Sequence, residues 1–299
     1  MPDRVARKLA DSWRKNKYEI KGILGGGMPA FIFSPRPAEL ADCIAVFGYH
    51  TVSTAHLEGD LEFLRRNDYT TLSGNEFLQS LHGERPIGAR EVLLTFDDGP
   101  VNFYSAAFPA LRRYDAHAIC FVAPGMHQEE VAPQFRGLAE RPMSWGELRE
   151  IHASGLVDIE SHTLESRYIP AWPRPQALLG VDAALEDSLR NEPLPMEEDF
   201  RRAKALLESQ LPGKTVRHLA FPCYDGTPEA VDAAVRCGYE ACYWGVTPLQ
   251  PVNTRRTSPL RVSRVSYEYL RRLPGTGRCT LRDVVDHRLR IVRGVQWQP

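Results

Sequence analysis

The sequence has no apolar run near the roughly 20 residues that a helix needs to cross a bilayer. Its N-terminus, Met1-Pro2-Asp3-Arg4-Val5-Ala6-Arg7-Lys8, lacks the apolar core of a secretory signal, so the expected address is the cytoplasm. There is no excess of positive charge either: 37 Lys and Arg stand against 38 Asp and Glu, a formal net charge of -1. A nucleic-acid binder carries a basic surface to meet phosphates, and that class is set aside. The six cysteines (Cys43, Cys120, Cys223, Cys237, Cys242 and Cys279) show no Cys-x-x-Cys or similar ligand spacing. Reduced, mostly buried thiols are expected rather than disulfides. No internal repeat or low-complexity tract is present. What remains is a chain of 299 residues, 43% hydrophobic, long enough for one large α/β domain or two small ones.

Residues 1–40 read as an N-terminal extension, with an amphipathic helix over Val5–Asn16 and breaks at Gly25-Gly26-Gly27 and Pro35-Arg36-Pro37. Strand and helix patterns then alternate. Cys43–Tyr49 is a short apolar run that predicts a buried strand, and Val92–Phe96, Ala118–Val122, Val157–Ser161, His218–Phe221 and Glu240–Gly245 read as further strands. Helical spacing falls over Leu57–Asn67, Ala106–Tyr114, Ser144–Ser154, Glu197–Gln210 and Pro228–Cys237. The proline-rich stretch 168–196 interrupts this rhythm and reads as an insertion in a domain over 41–275, with 276–299 as a C-terminal segment. Repeated strand–helix units imply parallel strands with covering helices, and catalytic groups at the carboxyl ends of the strands.

The string Thr95-Phe96-Asp97-Asp98-Gly99-Pro100 places two adjacent carboxylates where an apolar strand ends. Successive strand residues point to opposite sides, but at a strand-to-loop junction both can turn toward a site. A metal can take one carboxylate and leave the other as a general base. A turn with one Asp capping backbone amides is the structural alternative.

This string resembles the first motif of the polysaccharide deacetylases (the NodB-homology group), and the resemblance covers roughly residues 43–270. It implies an α/β fold, a distorted (β/α) barrel of about seven strands. It also implies that Asp97 is the base and Asp98 a ligand to a divalent metal such as zinc. The second motif, His-Ser/Thr-x-x-His, corresponds to His162-Thr163-Leu164-Glu165-Ser166, with Ser166 where the second histidine would stand. A serine hydroxyl is a weak neutral ligand. Three readings follow: Ser166 acts through water; Glu160, two residues before His162 and on the same strand face, substitutes; or the metal is absent. An ion pair, with Arg167 for example, is the structural reading of Glu160.

Ala220-Phe221-Pro222-Cys223-Tyr224-Asp225-Gly226 resembles the third motif, most closely its poly-N-acetylglucosamine deacetylase form. The resemblance gives the Cys223 amide to an oxyanion and leaves Tyr224 to stack on a sugar or to pack. Val46-Phe47-Gly48-Tyr49-His50 resembles the Tyr-His that opens the domain in that subgroup, which makes His50 a further site residue. Pro259-Leu260-Arg261-Val262-Ser263-Arg264-Val265 resembles its closing strand, with Arg264 either orienting a carboxylate such as Asp97 or forming a structural pair. No Leu-x-His of the fifth motif is present, so the general acid is unassigned. The activity so implied is metal-assisted removal of an N-acetyl group from an amino sugar or saccharide. The alternatives are a non-catalytic carbohydrate-binding protein and a hydrolase of a formamide or cyclic ureide.

Overall fold

The computed structural model describes residues 17–130, 141–165, 194–246 and 251–292. Eight strands follow one another around the sheet. They are β1 (Cys43–Tyr49), β2 (Glu91–Phe96), β3 (Ala118–Val122), β4 (Val157–Ser161), β5 (His218–Ala220), β6 (Ala241–Trp244), β7 (Val262–Ser263) and β8 (Val265–Ser266). Their order is β8-β1-β2-β3-β4-β5-β6-β7, and every neighbouring pair on this path is parallel. β1, β2 and β3 are buried along their whole length, as expected of parallel strands covered on both faces. β7 pairs with β6 and β8 with β1, so the single segment 262–266 meets both edges of the sheet at Arg264. The result is a nearly closed barrel, and with that segment counted as one strand it has the seven expected.

Alternation along each strand separates two cores. Ile44, Val46, Leu93, Ile119, Phe121, Ala220, Tyr243 and Val262 point inward and form one cluster. Ala45, Phe47, Val92, Leu94, Cys120, Ile159 and Leu219 point outward to the larger cluster. The outer helices α1 (Thr54–Arg66), α3 (Phe108–Tyr114), α4 (Trp145–Ala153), α5 (Met196–Gln210) and α6 (Pro228–Arg236) add to that larger cluster.

Helix α2 (Gly74–His82) was not anticipated. It contributes Phe77, Leu78 and Leu81 to the inner cluster, and its Gly74 N–H donates to Asp158 Oδ2 at 2.7 Å, so it closes the amino-terminal end of the barrel. The sequence did carry its signals. Ser73 and Glu76 form a capping box, and Gly83 ends the helix at φ +78°.

The N-terminal residues 17–34 pack into the body. Met28, Phe31 and Ile32 are buried, and Phe31 meets Phe47 edge-on at 6.4 Å. Glu19 accepts hydrogen bonds from Tyr269 (2.8 Å) and from Arg288 (2.9 Å) on α7 (Leu281–Val292). All six cysteines are free thiols, three of them buried. Among the described residues no helix is long and apolar enough to cross a membrane.

Candidate active site

Two backbone hydrogen bonds carry the strand ladders one residue past their ends. Asp97 N–H donates to Tyr49 O (3.0 Å) and His162 N–H to Val122 O (2.8 Å). Strand parity therefore still applies at Asp97, which follows Leu93 and Thr95 on the inner face, and at His162. After each of them the chain turns sharply into left-handed conformations: Asp98 has φ +71°, Gly99 +62° and Thr163 +67°. Asp tolerates that region, whereas a β-branched Thr held there costs on the order of 1 kcal/mol. A Cβ on Gly99 would lie 2.7 Å from Val122 Cγ1, so only glycine fits the turn that aims Asp98.

Asp97 is buried, and Arg264 Nη1 donates to its Oδ1 at 2.6 Å. The Arg264 guanidinium lies between the Phe121 ring (5.6 Å) and the Tyr224 ring (4.6 Å), and its Nε–H donates to Trp244 O. Burial opposes the charge on Arg264, but Asp97 outweighs it and holds the guanidinium above its ordinary range. Arg264 Nη2 is buried without a hydrogen-bond partner among the described residues. Of the two roles read for Arg264, the geometry gives it direct contact with Asp97.

Asp98 Oδ1 lies 3.4 Å from His162 Nε2. His162 Nδ1 is 2.9 Å from Ala220 O, an acceptor only, so Nδ1 carries a hydrogen and Nε2 is the atom presented to Asp98. Burial disfavours the imidazolium, but Asp98 and then Asp97 outweigh it and raise His162 above its usual value. A carboxylate facing an imidazole nitrogen, with the far side of the ring anchored on a carbonyl, is a donor pair suited to a divalent cation. Ser166 and nearly all of the 168–196 insertion lie outside the described residues. Among the described residues no three His, Cys, Asp or Glu side chains are placed so as to hold a metal ion together.

Glu160 does not join the pair. It shares the inner face with His162, as alternation requires, but it sits two residues earlier on the strand. Its carboxylate accepts from Lys214 Nζ at 2.5 Å and from the amides of Arg217 (3.0 Å) and His218 (2.9 Å). β4 and β5 pair only at Ser161 and Leu219, and Glu160 supplies the acceptors that a longer ladder would have provided. The ion pair is therefore with Lys214, and it fills the carboxylate that metal ligation would need. Replacing Glu160 by Gln is expected to lower unfolding free energy by about 3 kcal/mol, because the buried Lys214 ammonium loses its counter-charge. Cation affinity measured by calorimetry should stay within twofold.

The turn after β5 lies beside Arg264. Cys223 and Tyr224 have φ +52° and +63°, two consecutive left-handed residues with side chains, at about 1 kcal/mol each. The Tyr224 ring covers Arg264 and Gly48, where a Cβ would stand 3.2 Å from the phenol oxygen, and it meets His50 edge-on at 5.9 Å. Burial, and next the charge of Asp97, push the Tyr224 phenol above its usual range, so it stays neutral. Asp97, Arg264, Tyr224 and His50 thus form one connected group, with Asp98 and His162 alongside. Tyr224 packs on Arg264, and Cys223 is half-buried.

Two histidines that the sequence did not single out are buried and neutral. His127 donates from Nδ1 to Met143 O (2.7 Å) beside Gly99, and burial pushes it down to about 4. His218, bonded to the Tyr243 hydroxyl at 2.8 Å, is pushed down to about 3 by burial and by Lys214. Both values lie below that of an unfolded histidine, so on acidification the unfolded chain takes up protons first. Their contribution is whole above the unfolded value of about 6.5 and is lost as the pH falls through it, toward about 4 for His127 and about 3 for His218, by about 2 kcal/mol each at pH 5. Urea melts at pH 7 and pH 5 should show the loss, and a His127→Gln variant should show less of it.

The family model for polysaccharide deacetylases matches residues 84–242, more than half of the chain and inclusive of Asp97, Asp98, His162 and Cys223. The chain belongs to the polysaccharide deacetylase family. That is a hydrolase family acting on carbon–nitrogen bonds other than peptide bonds. The chain is similar to the poly-beta-1,6-N-acetyl-D-glucosamine N-deacetylase of Escherichia coli strain K12, 30% identical over 125 residues, 40% of this chain and 19% of that one. The enzyme of the same name from Staphylococcus aureus strain MRSA252 is 26% identical over 156 residues, 52% of this chain and 51% of that one. The chain thus spans about half or less of these relatives' lengths. IcaB from Ammonifex degensii superposes with a TM-score of 0.59 at 25% identity, over 77% of this chain and 94% of that one. The deacetylase domain of BpsB from Bordetella bronchiseptica, at 22% identity and a TM-score of 0.58, shares the fold over 77% of this chain and 97% of its own. Within the deacetylase fold, sequence reasoning missed Lys214 as the partner of Glu160. Lys17 and Tyr18 were missed as well, and both bond Asp225 beside the Cys223–Tyr224 turn.

Proposed function

We propose that this deacetylase hydrolyses the acetamide of N-acetylglucosamine units in a saccharide. The observation that carries the reading is the buried Asp97–Arg264 pair set beside the Asp98–His162 pair at the carboxyl ends of the strands. Where a divalent cation is bound, Asp98 and His162 would hold it, and it would supply Lewis-acid polarisation of the water and the acetamide carbonyl. Asp97 is the general base: Arg264 holds Oδ1, which leaves Oδ2 to take the proton of the attacking water. The water oxygen adds to the carbonyl carbon, and the Cys223 amide steadies the oxyanion. The carbon–nitrogen bond breaks as the nitrogen takes up the proton that Asp97 removed from the water, and acetate and a free amine leave. The relatives named for poly-beta-1,6-N-acetyl-D-glucosamine support that polymer as the substrate class.

The test is acetate release from a β-1,6-linked N-acetylglucosamine oligomer, before and after chelation and re-addition of zinc or cobalt. Release that chelation lowers at least tenfold, and that the metal restores, is the expected result. No release from this or any N-acetylated saccharide, with metal present, would overturn the reading.

A further inference from the structure

The Cys223–Tyr224 turn does not hold itself. It consists of two left-handed residues with side chains, and it is followed by Asp225, whose carboxylate accepts from Lys17 Nζ and from the Tyr18 hydroxyl. Lys17 and Tyr18 belong to the N-terminal helical stretch 17–24, more than 200 residues away in sequence. Contact with the turn is also steric. A Cβ on Gly245 would stand 2.9 Å from Tyr224 Cβ and 3.2 Å from Tyr18 Cβ, so Gly245 is pinched between the two tyrosines. Gly245 N–H donates to Tyr224 O at 3.3 Å, and Lys17 Nζ lies 4.9 Å from the centre of the Tyr18 ring. The helical stretch is itself anchored on its other side by the bonds of Glu19 to Tyr269 and Arg288.

We propose that Lys17 and Tyr18 are positioning residues for the active site. Through Asp225 they hold the turn that presents the Cys223 amide and presses the Tyr224 ring on Arg264, and Arg264 in turn holds Asp97. The N-terminal stretch is then one wall of the catalytic machinery. The link to catalysis rests on the deacetylase reading above; the clamp on the turn does not.

Two measurements on the full chain separate these. Tyr18→Phe and Asp225→Asn each remove a clamp bond without emptying space. Both variants should release acetate from the β-1,6-linked N-acetylglucosamine oligomer with kcat lowered about tenfold and KM within twofold, at unchanged melting temperature. Lys17→Arg should retain at least half of wild-type kcat. Cys223 should also react with iodoacetamide at least threefold faster in Tyr18→Phe and Asp225→Asn, by peptide mass spectrometry, while the half-buried Cys237 and Cys279 keep their wild-type rates. Unchanged kcat together with unchanged Cys223 alkylation overturns the proposal, as does a loss of kcat matched by a general rise in alkylation of all three thiols. If the wild-type chain releases no acetate, the functional reading is what fails, and the alkylation rates still decide whether the clamp exists.

Discussion

Asp97→Asn is expected to lower acetate release by about 10³-fold while leaving the protein folded, because general-base catalysis by a placed side chain is worth roughly 10²–10⁴. Asn is nearly the same size as Asp and keeps an oxygen for Arg264, so the buried contact at 2.6 Å survives in neutral form. What it cannot do is accept a proton from water. The loss should appear in kcat with KM within about threefold, since Asp97 acts on the water and not on the sugar. Residual activity within tenfold of wild type would remove Asp97 from the mechanism. A variant that no longer folds would be recognised by its circular dichroism, and Asp97→Ser then supplies the same test without the carboxylate.

Arg264→Met is expected to be the most destabilising change in the site. It removes the guanidinium, set among Thr95, Phe121 and Tyr224, that pairs with the buried Asp97 carboxylate, and an uncompensated buried charge costs about 3–5 kcal/mol. For a chain of this length that corresponds to a fall in Tm of roughly 5–8 °C. Activity should fall as well, since Asp97 loses the contact that fixes its orientation. The double variant Arg264→Met with Asp97→Asn should recover a large part of the lost stability and none of the activity. If the double variant is no more stable than Arg264→Met alone, charge burial is not the cause, and lost packing between Phe121 and Tyr224 takes its place.

Much of the site could be read along the chain because it is built from strand ends. Asp97 and His162 each come directly after a strand, and the period of two places them on the inner face. The same period put Glu160 on that face too, which is true of the structure and still misleading. Face is a matter of parity, but depth along the barrel and the choice of partner are not. Lys214 lies in the connection before β5, and nothing in its local sequence marks it as the counter-charge of a residue 54 positions earlier. Helix α2 had legible caps at Ser73, Glu76 and Gly83, but its Phe77 declares itself as a barrel plug only once the strands curve around it.

The sequence by itself determined the strand–helix alternation, the inward parity of Asp97 and His162, and the left-handed turn that Gly99 permits, because each depends on backbone geometry over a few residues. Only the tertiary structure decided that segment 262–266 joins both edges of the sheet at Arg264, that Arg264 meets Asp97 across 167 positions, and that Lys17 and Tyr18 grip Asp225. Those contacts are set by closure of the barrel. Closure brings residues 17–18 and segment 262–266 against the same strand ends, and charge and hydrogen bonding then select partners by distance in space, which no local pattern encodes.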